Sequence, residues 1–235
     1  MDSKLHWIHL KNWPILKQLE LEEALLRTSN ENFCIVNQGS EKTIVMGISA
    51  EMETLIDVEK AKKEKIPILK RFSGGGTVIV DENTLFVTLI MKSEAVPIQP
   101  FPEPILQWTE KLYQKSWKIP HFHLRENDYC IEDKKCGGNA QYIRKGRWLH
   151  HTSFLWDYCP NNMELLFLPP KRPHYRKDRL HHDFLTKLKD HVPEQVHLLE
   201  RLKMSLFKES FQILETDPLS LDLSKEHRRS LKQIL

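Results

Sequence analysis

The sequence predicts an α+β fold, a central mixed or antiparallel sheet flanked by helices, and two observations support this prediction. Short apolar runs typical of strands come in groups, and segments of helical periodicity lie before, between and after these groups. Strands that alternated strictly with helices would instead favour a parallel sheet of βαβ units. With 235 residues, 40% of them hydrophobic, the chain can bury a sizeable core as one domain.

Apolar runs bounded by glycine or polar residues predict the strands. These runs are residues 33–36, 43–48, 66–72, 77–80, 85–91 and 128–131. Further along the chain, residues 147–150 and 153–158 have the pattern of two paired strands. Together these segments would form the central sheet.

Helical periodicity predicts the helices. Pro14 suits a first turn and precedes a leucine-rich face, which predicts a helix over residues 14–28. Residues 52–65 indicate a charged, solvent-facing helix, and a proline-rich loop leads into another helix at 105–117. The last helix begins after Pro193 and is expected to bury a stripe of apolar side chains. That stripe consists of Val196, Leu199, Leu202, Leu206, Phe207 and Phe211.

The composition excludes several classes of protein. A formal net charge of +3 gives no strong positive field, so nucleic acid is not an expected partner. No run approaches the roughly 18–20 apolar residues that span a bilayer, and residues 1–13 lack a secretory or transit pattern. The four cysteines show neither CxxC pairing nor metal-ligand spacing. We therefore expect a cytoplasmic protein with reduced, mostly buried thiols, no membrane association and no metal site. An organelle location is left open.

Glycine is concentrated in two short runs. The chain has 8 glycines, whereas average usage near 7% would give about 16. The first run lies in residues 71–79, Arg-Phe-Ser-Gly-Gly-Gly-Thr-Val-Ile, between two apolar segments. Backbone N–H groups of such a turn can hold an anion, and the upstream arginine can bind a phosphate or carboxylate. The turn matches neither a Walker A loop nor a dinucleotide fingerprint, and a plain tight hairpin beside a surface arginine would give the same pattern.

The second glycine run follows two lysines in residues 134–141, Lys-Lys-Cys-Gly-Gly-Asn-Ala-Gln. A lysine beside a glycine pair can reach an anionic ligand lying over the backbone, although a solvated, charged hairpin tip would have the same residues. Two adjacent histidines, His150 and His151, come shortly after. Adjacent strand residues point to opposite faces, so these two are not expected to bind one metal ion together.

The ordered set of motifs resembles the lipoate–protein ligase family. The pattern is Arg-x-Ser-Gly-Gly-Gly before an apolar strand, then Lys-x-x-Gly-x-Ala-Gln, then His-His-x-x-x-Leu. The pair Asn127-Asp128 and the segment 175–179 are also similar to that family, and the resemblance covers residues 14–190. It implies a mixed sheet flanked by helices, a fold that these ligases share with biotin ligases and octanoyltransferases.

The resemblance implies a two-step reaction. Lipoate attacks the α-phosphate of Mg²⁺-bound ATP to give lipoyl-AMP, and the amine of a carrier lysine then displaces AMP. Lys135 would be the catalytic residue, stabilising charge between the lipoate carboxylate and the α-phosphate. The matching positions for ATP and the adenylate are Arg71, Gly75, Gly76, Thr77, Val78, Ile79, Asp128 and Lys135. The positions for lipoate are Ser73, Gly74, Lys135, Gly138 and His151.

The sequence departs from the family pattern around the first glycine run. Val80-Asp81 stands where the family usually has His-Asp, and Asn83-Thr84 where it often has Gly-Asn. Residues 47–50, Gly-Ile-Ser-Ala, replace a common Arg-Asn-Gln stretch. Because the lost His and Gln border the implied lipoate pocket, we expect these departures to affect acyl-chain preference.

The resemblance also implies protein partners. They would be lipoyl carrier domains, either 2-oxo acid dehydrogenase E2 subunits or the glycine cleavage H protein, and a separate accessory protein that assists activation. Residues 170–183 hold five Lys/Arg. They would form a solvated loop, or else a lid or docking surface in which Arg176 and Arg179 take part.

The domain organisation follows from the extent of the resemblance. Residues 1–190 would form the ligase catalytic domain, with residues 191–235 as its C-terminal helical extension.

Three alternatives stay open. An octanoyltransferase would move the acyl chain between carriers through a cysteine thioester, but Cys130, Cys136 and Cys159 are off the register of that cysteine. Cys136 is nevertheless a candidate reactive thiol, because the preceding lysines would lower its pKa. A biotin ligase would need a Gly-Arg-Gly-Arg type of loop, which the sequence lacks. A non-catalytic carrier-binding module of the same fold would not need Arg71, the glycines and Lys135 together.

Overall fold

The strands and helices of the chain are described by a computed structural model, which covers residues 3–170 and 172–235. The strands are β1 (Ser3–Lys11), β2 (Asn32–Gln38), β3 (Thr43–Met46), β4 (Ile68–Lys70), β5 (Val78–Val80), β6 (Thr84–Lys92), β7 (Phe122–Arg125), β8 (Asp128–Ile131), β9 (Lys134–Arg144), β10 (Arg147–Leu155), β11 (Phe211–Glu215) and β12 (Lys232–Gln233). The helices are α1 (Ile15–Thr28), α2 (Met52–Leu55), α3 (Val58–Lys63), α4 (Pro102–Trp117), α5 (Pro160–Met163), α6 (His181–Phe184) and α7 (Gln195–Lys208).

The larger of two sheets has eight strands in the order β11-β1-β2-β6-β10-β9-β8-β7. β1 runs parallel to both β2 and β11, and the remaining neighbours are antiparallel. This mixed sheet confirms the predicted fold class. β1 itself is not predicted by the sequence, because His6 and His9 interrupt its apolar residues and obscure the two-residue alternation of a strand.

A smaller sheet, which the sequence does not predict as a separate unit, has the order β12-β4-β3-β5. The first glycine run connects β4 to β5 in this sheet, whereas the second lies on β9 of the large sheet. The N–H group of Gly74 donates a hydrogen bond of 3.2 Å to the carbonyl oxygen of Gln141 on β9. The two glycine-containing motifs, far apart in the sequence, therefore meet where the two sheets join.

Helices cover both faces of the large sheet. On one face α4 and α7 pack together, and the indole N–H of Trp117 donates to the carbonyl oxygen of Leu198 at 3.1 Å. On the other face α1 packs through Leu21, Leu25 and Leu26. This arrangement agrees with the expected sheet flanked by helices. No helix in the described part of the chain combines the length and the hydropathy needed to cross a membrane.

Two predicted elements take a different form. Residues 147–158 do not make two strands, because β10 is hydrogen-bonded to neighbours on both sides without a break from residue 147 to residue 154. Neither glycine nor proline interrupts it. Residues 52–65 make two short helices instead of one. Ile56 is extended and bridges to Leu166, and the side chain of Asp57 then caps α3 by accepting a hydrogen bond from the N–H of Lys60.

The predicted C-terminal helix is present as α7, but beyond it the chain forms β11, a three-residue 3₁₀ turn (Pro218–Ser220) and β12 instead of further α-helix. Phe211 begins β11, which extends the edge of the large sheet. The leucines of the predicted stripe are buried, whereas Val196 and Phe207 are 41% and 68% exposed. Helix α7 contacts the protein on one side only, so apolar residues at the margins of that side stay in solvent.

Candidate active site

A cavity of about 740 Å³ lies where the small sheet meets the large one. This volume is within the roughly 300–1,000 Å³ of most small-molecule sites. One part of the wall is an apolar slot formed by α1, β3, β5 and β6. Its residues are Ile15, Leu19, Val45, Val80 and Phe86.

The rest of the wall is mixed and includes residues of the segment 49–55, the first glycine run and apolar side chains such as Leu166 and Phe167. One end of the cavity is polar and carries charges of both signs, and it comes from the β7–β8 turn, from β9 and from the segment that precedes and enters α6. The charged and amide side chains here are Glu126, Asn127, Asp128, Lys135, Asn139, Arg172 and Arg176, with His181 beside them. The cavity therefore joins an apolar slot to a polar end.

The side chain of Lys135 points into this polar end. Side chains alternate along β9, so the neighbouring Lys134 is exposed while Lys135 faces inward. Its Nζ atom lies 2.7 Å from Oδ1 of Asp128, which belongs to the other arm of the β8–β9 hairpin. The hydroxyl of Tyr175 donates to the second carboxylate oxygen, Oδ2, at 2.9 Å. The hairpin thus brings two of the predicted site residues into direct contact.

Arg71 is buried beneath the first glycine run. Its Nη2 atom donates to the carbonyl oxygens of Gly76 (2.8 Å) and Gly74 (3.3 Å), and Nη1 donates to the carbonyl oxygen of Val45 at 3.3 Å. Burial lowers the pKa of Arg71 to about 10, with the negative charge of Glu22 acting in the opposite direction. Arg71 remains cationic at neutral pH and fixes the glycine turn. The alternative of a surface arginine beside a plain hairpin is therefore wrong, since the guanidinium is an internal part of the turn.

Most of the predicted site residues border the cavity. They are Arg71, Gly75, Gly76, Thr77, Val78, Asp128, Lys135, Gly138 and His151.

Ser73, Gly74 and Ile79 do not border the cavity. The carbonyl oxygen of Ser73 accepts a hydrogen bond from the N–H of Ile48, and Gly74 is bonded to β9, so both are tied into the junction of the sheets. Ile79 points into the core of the small sheet, because side chains alternate along β5.

The two histidines point to opposite faces of β10, as the sequence predicts. His151 lines the cavity, and its Nδ1 atom lies 3.0 Å from both carboxylate oxygens of Glu22 on α1. His150 lies on the α4 side, where burial lowers its pKa to about 3 and Nε2 is 3.2 Å from the hydroxyl of Tyr129. Sequence reasoning missed Glu22, although a glutamate on the inward face of a leucine-rich helix is a signal that could have found it.

The basic segment 170–183 borders the cavity, and within it Lys171 lies outside the described residues. Arg176 lines the cavity, as expected of a lid. Arg179 does not, because its Nη1 atom pairs with Oδ2 of Asp133 at 2.8 Å. Only one of the two predicted arginines is therefore available to a ligand in the cavity.

His181 is a cavity residue that the sequence did not predict. Burial is the main cause that lowers its pKa to about 4, and the positive charges of Arg176 and Lys135 lower it further. The backbone N–H of Thr186, shortly after His181, donates to the carbonyl oxygen of Lys135 at 2.9 Å. This contact holds the segment against β9.

The described cavity wall contains no cysteine. Burial raises the pKa of Cys130 to about 11 and that of Cys136 well above its ordinary value. The expectation of a reactive Cys136 is therefore wrong, because its side chain points into the core and burial outweighs the nearby positive charge of Lys135. Cys159 is exposed, contrary to the general expectation of buried thiols.

Comparison with known proteins identifies relatives of the chain. The family model of the lipoyl protein ligase A/B catalytic domain matches residues 14–211. "Inactive lipoate–protein ligase 2" of Plasmodium falciparum is 31% identical over 82% of this chain and 65% of the relative. "Probable lipoate-protein ligase A" of Mycoplasma pneumoniae is 30% identical over 58% of this chain and 41% of the relative. The matched part thus spans less than two thirds of either relative.

Solved structures share the fold at low sequence identity. A lipoate-protein ligase A bound with ATP has a TM-score of 0.73 at 17% identity, over 92% of this chain and 88% of that one. A putative lipoate protein ligase from T. acidophilum with bound lipoic acid has a TM-score of 0.73 at 16% identity, over 92% and 90%. A third structure belongs to a bi-partite lipoate protein ligase that is described with its E2 lipoyl domain from Thermoplasma acidophilum. Its TM-score is 0.71 at 19% identity, over 92% of this chain and 86% of that chain.

Proposed function

Because the chain belongs to the lipoyl protein ligase A/B catalytic domain family, we propose that it activates lipoate with ATP and transfers the lipoyl group to a lysine of a carrier domain. The observation that carries this proposal is the union, in one cavity, of an apolar slot and a polar end that holds Lys135. Lipoyl-AMP has the same two-part character, an apolar acyl chain joined to an anionic phosphate.

Unpaired donors in the cavity wall support an anionic ligand. Within residues 3–170 and 172–235, Nη2 of Arg176 and Oγ1 of Thr77 are buried without a hydrogen-bond partner, and both residues line the cavity. A buried polar group without a partner typically costs about 1–3 kcal/mol. A phosphate oxygen would remove that cost. In this proposal Mg²⁺ enters with the phosphates of ATP.

Lys135 supplies the charge that both steps require. In the first step an oxygen of the lipoate carboxylate attacks the α-phosphorus, and pyrophosphate leaves with the electrons of the broken P–O bond. Two negatively charged groups must approach each other, so an ammonium beside them lowers the barrier. In the second step the uncharged amine of the carrier lysine attacks the acyl carbon, the C–O bond breaks, AMP leaves with the electrons of that bond, and the nitrogen releases one proton to solvent to give the amide. Asp128 keeps the ammonium of Lys135 at the cavity throughout.

Acyl transfer through a cysteine thioester fits this cavity less well than the ligase reaction does. Such a mechanism needs a thiolate beside the bound acyl chain. Cys130 and Cys136 have raised pKa values and lie outside the cavity wall, as does the exposed Cys159. The arrangement therefore favours an adenylate over a thioester intermediate.

The proposed acceptor is a lipoyl carrier domain, and a separate accessory protein is a further proposed partner. The bi-partite ligase of Thermoplasma acidophilum, described together with its E2 lipoyl domain, supports both partners. We also propose that residues 1–190 and 191–235 act as one catalytic unit. The parallel pairing of β11 with β1 and the packing of α7 on α4 support that assignment.

The test is to incubate the purified chain with Mg²⁺-ATP and either lipoate, octanoate or biotin, and to detect acyl-adenylates by mass spectrometry. Lipoate should give its adenylate and biotin should not. Comparable amounts of biotinyl-AMP would contradict the assignment.

Transfer without activation is a second candidate function, and the name of the Plasmodium falciparum relative, an inactive ligase, favours it. In this version the chain accepts lipoyl-AMP made elsewhere and completes only the second step. Supplying synthetic lipoyl-AMP and a carrier domain, with and without ATP and lipoate, separates the two versions. We expect faster carrier modification from supplied lipoyl-AMP than from ATP and lipoate when the chain is alone.

A further inference from the structure

We propose that Tyr175 is a positioning residue that acts on Lys135 through the carboxylate of Asp128. This inference rests on the proposed function, in which Lys135 stabilises the reacting phosphate. The sequence motifs gave Tyr175 no role of its own.

Tyr175 and Lys135 both contact the carboxylate of Asp128 directly, each through a different oxygen. The ammonium of Lys135 lies 2.7 Å from Oδ1 of Asp128, and the hydroxyl of Tyr175 donates to Oδ2 at 2.9 Å. Asp128 and Tyr175 are each only 6% exposed, so solvent is a poor substitute for either donor. With both oxygens engaged, the carboxylate is held in one orientation, and the ammonium is held with it.

The ring of Tyr175 is itself fixed from several sides. The guanidinium of Arg125 lies over it at 4.7 Å, and the ring of Phe184 is 5.2 Å away. The backbone N–H of Tyr175 donates to Oε1 of Glu126 at 3.1 Å. The hydroxyl therefore reaches Asp128 from a rigid support and not from a freely rotating side chain.

Tyr175 can only donate to Asp128 while it keeps its proton. Burial raises the pKa of Tyr175 far above its ordinary value, and the negative charge of Asp128 raises it further. The thiol of Cys130 lies 3.2 Å from the same hydroxyl and can donate to it. The phenol is therefore neutral at any working pH, and its proton is directed at the carboxylate.

The same hydrogen bond connects two parts of the cavity wall. Tyr175 lies in a short 3₁₀ turn, His174–Arg176, and Asp128 begins β8. Arg176, the next residue along the chain, is one of the cavity residues with an unpaired buried donor. Losing the hydroxyl should therefore disturb the position of two cations that face the proposed phosphate.

The test compares Tyr175→Phe with Tyr158→Phe as a matched control. Both tyrosines pack against the small-sheet core, but the Tyr158 hydroxyl makes no hydrogen bond within the described part of the chain. Removing a hydrogen bond to a charged group should lower kcat for transfer from lipoyl-AMP by roughly 10-fold to 100-fold, with a smaller change in KM. Tyr158→Phe should stay within about twofold of the unsubstituted chain. Equal kcat values for all three proteins would overturn the proposal.

A double-substitution cycle asks whether Tyr175 acts through Asp128. Once Asp128→Ala has removed the carboxylate, adding Tyr175→Phe should cost less than about twofold. An undiminished loss in that background would show that Tyr175 acts by another route and would overturn the inference.

A readout independent of turnover separates this inference from the proposed function. The ¹³Cε resonance of Lys135, assigned with Lys135→Arg, should move in Tyr175→Phe and stay unchanged in Tyr158→Phe. If the chain makes and transfers no lipoyl-AMP but the resonance moves, the proposed function is wrong and the positioning contact stands. An unmoved resonance would overturn the inference, whatever the activity.

Discussion

The backbone of Gly75 lies against the side chain of Arg71, so closely that a Cβ atom at residue 75 would come within 2.6 Å of Nη2. The same atom would meet the carbonyl oxygen of Asn139 on β9 at 2.8 Å. Gly75 also has φ +122°, a backbone conformation that L-amino acids with side chains rarely adopt. The turn is thus closed around the guanidinium, and glycine is required at this one position for both space and conformation.

Gly75→Ala should therefore destabilise the chain and disturb the cavity. We expect a loss of about 1–3 kcal/mol in the free energy of unfolding, measured by urea denaturation, because both the strain and the clash must be relieved. Gly76→Ala is the matched control, since a Cβ there meets nothing within 4 Å. Equal losses for the two variants would show that the turn is not closed as described.

Lys135→Ala should abolish most activity while leaving the fold intact. Removing a preorganised charge from a reacting phosphate typically costs on the order of 10²–10³ in rate. Lys134→Ala, on the exposed side of β9, should change carrier modification little. The measurement is the rate of lipoylation of a carrier domain, with circular dichroism to compare the folds. A fully active Lys135→Ala would remove the central residue of the proposed mechanism.

The cysteines should be dispensable for catalysis and differ in reactivity. Cys136→Ser and Cys130→Ser should retain carrier modification, apart from modest stability losses where a buried thiol is replaced. Iodoacetamide should label the exposed Cys159 in the folded chain and leave Cys130 and Cys136 unlabelled, because burial raises their pKa values. Peptide mapping after labelling provides the measurement. Loss of ATP-free transfer from an acylated carrier in any one cysteine variant would favour the thioester mechanism.

His150 should make the stability of the chain depend on pH. Its pKa falls to about 3 in the folded protein from 6.5, so between these values the unfolded chain binds a proton that the folded chain does not. The free energy of unfolding should therefore decrease as the pH falls from about 6.5 towards about 3, by a total on the order of 4 kcal/mol.

The check is urea denaturation of His150→Gln and of the control His191→Gln, a replacement at an exposed position, over this pH range. The slope with pH should flatten in His150→Gln and persist in the control. Parallel slopes in the two variants would show that other groups cause the acid sensitivity.

Much of the secondary structure of the chain can be predicted from the sequence. The apolar runs and turn residues predict β8 with its observed bounds and predict β2 to β6 and β10 approximately, and Pro14 marks the start of α1. Two long strands, β1 and β9, were not predicted, because polar residues and glycines interrupt their apolar pattern. The concentration of glycine in two runs indicates two places where a side chain is not tolerated, and Gly75 is such a place. Strand alternation also predicts that His150 and His151 face opposite sides. These features depend on neighbours in the sequence, so periodicity and residue type are sufficient to predict them.

Contacts between distant segments were decided only by the tertiary structure. Whether Lys135 belongs to a solvated hairpin tip or to a cavity depends on which face of β9 meets the small sheet. The partners of Arg71, the burial of Cys136 and the hydrogen bond from Tyr175 to Asp128 depend in the same way on how the sheets and the 3₁₀ turn dock. Periodicity identifies the inward face of an element but not the element that packs against it. Local sequence therefore determined most of the strands and turns around the site, although not the strand β9 that carries Lys135, and only long-range packing determined which of the site residues touch.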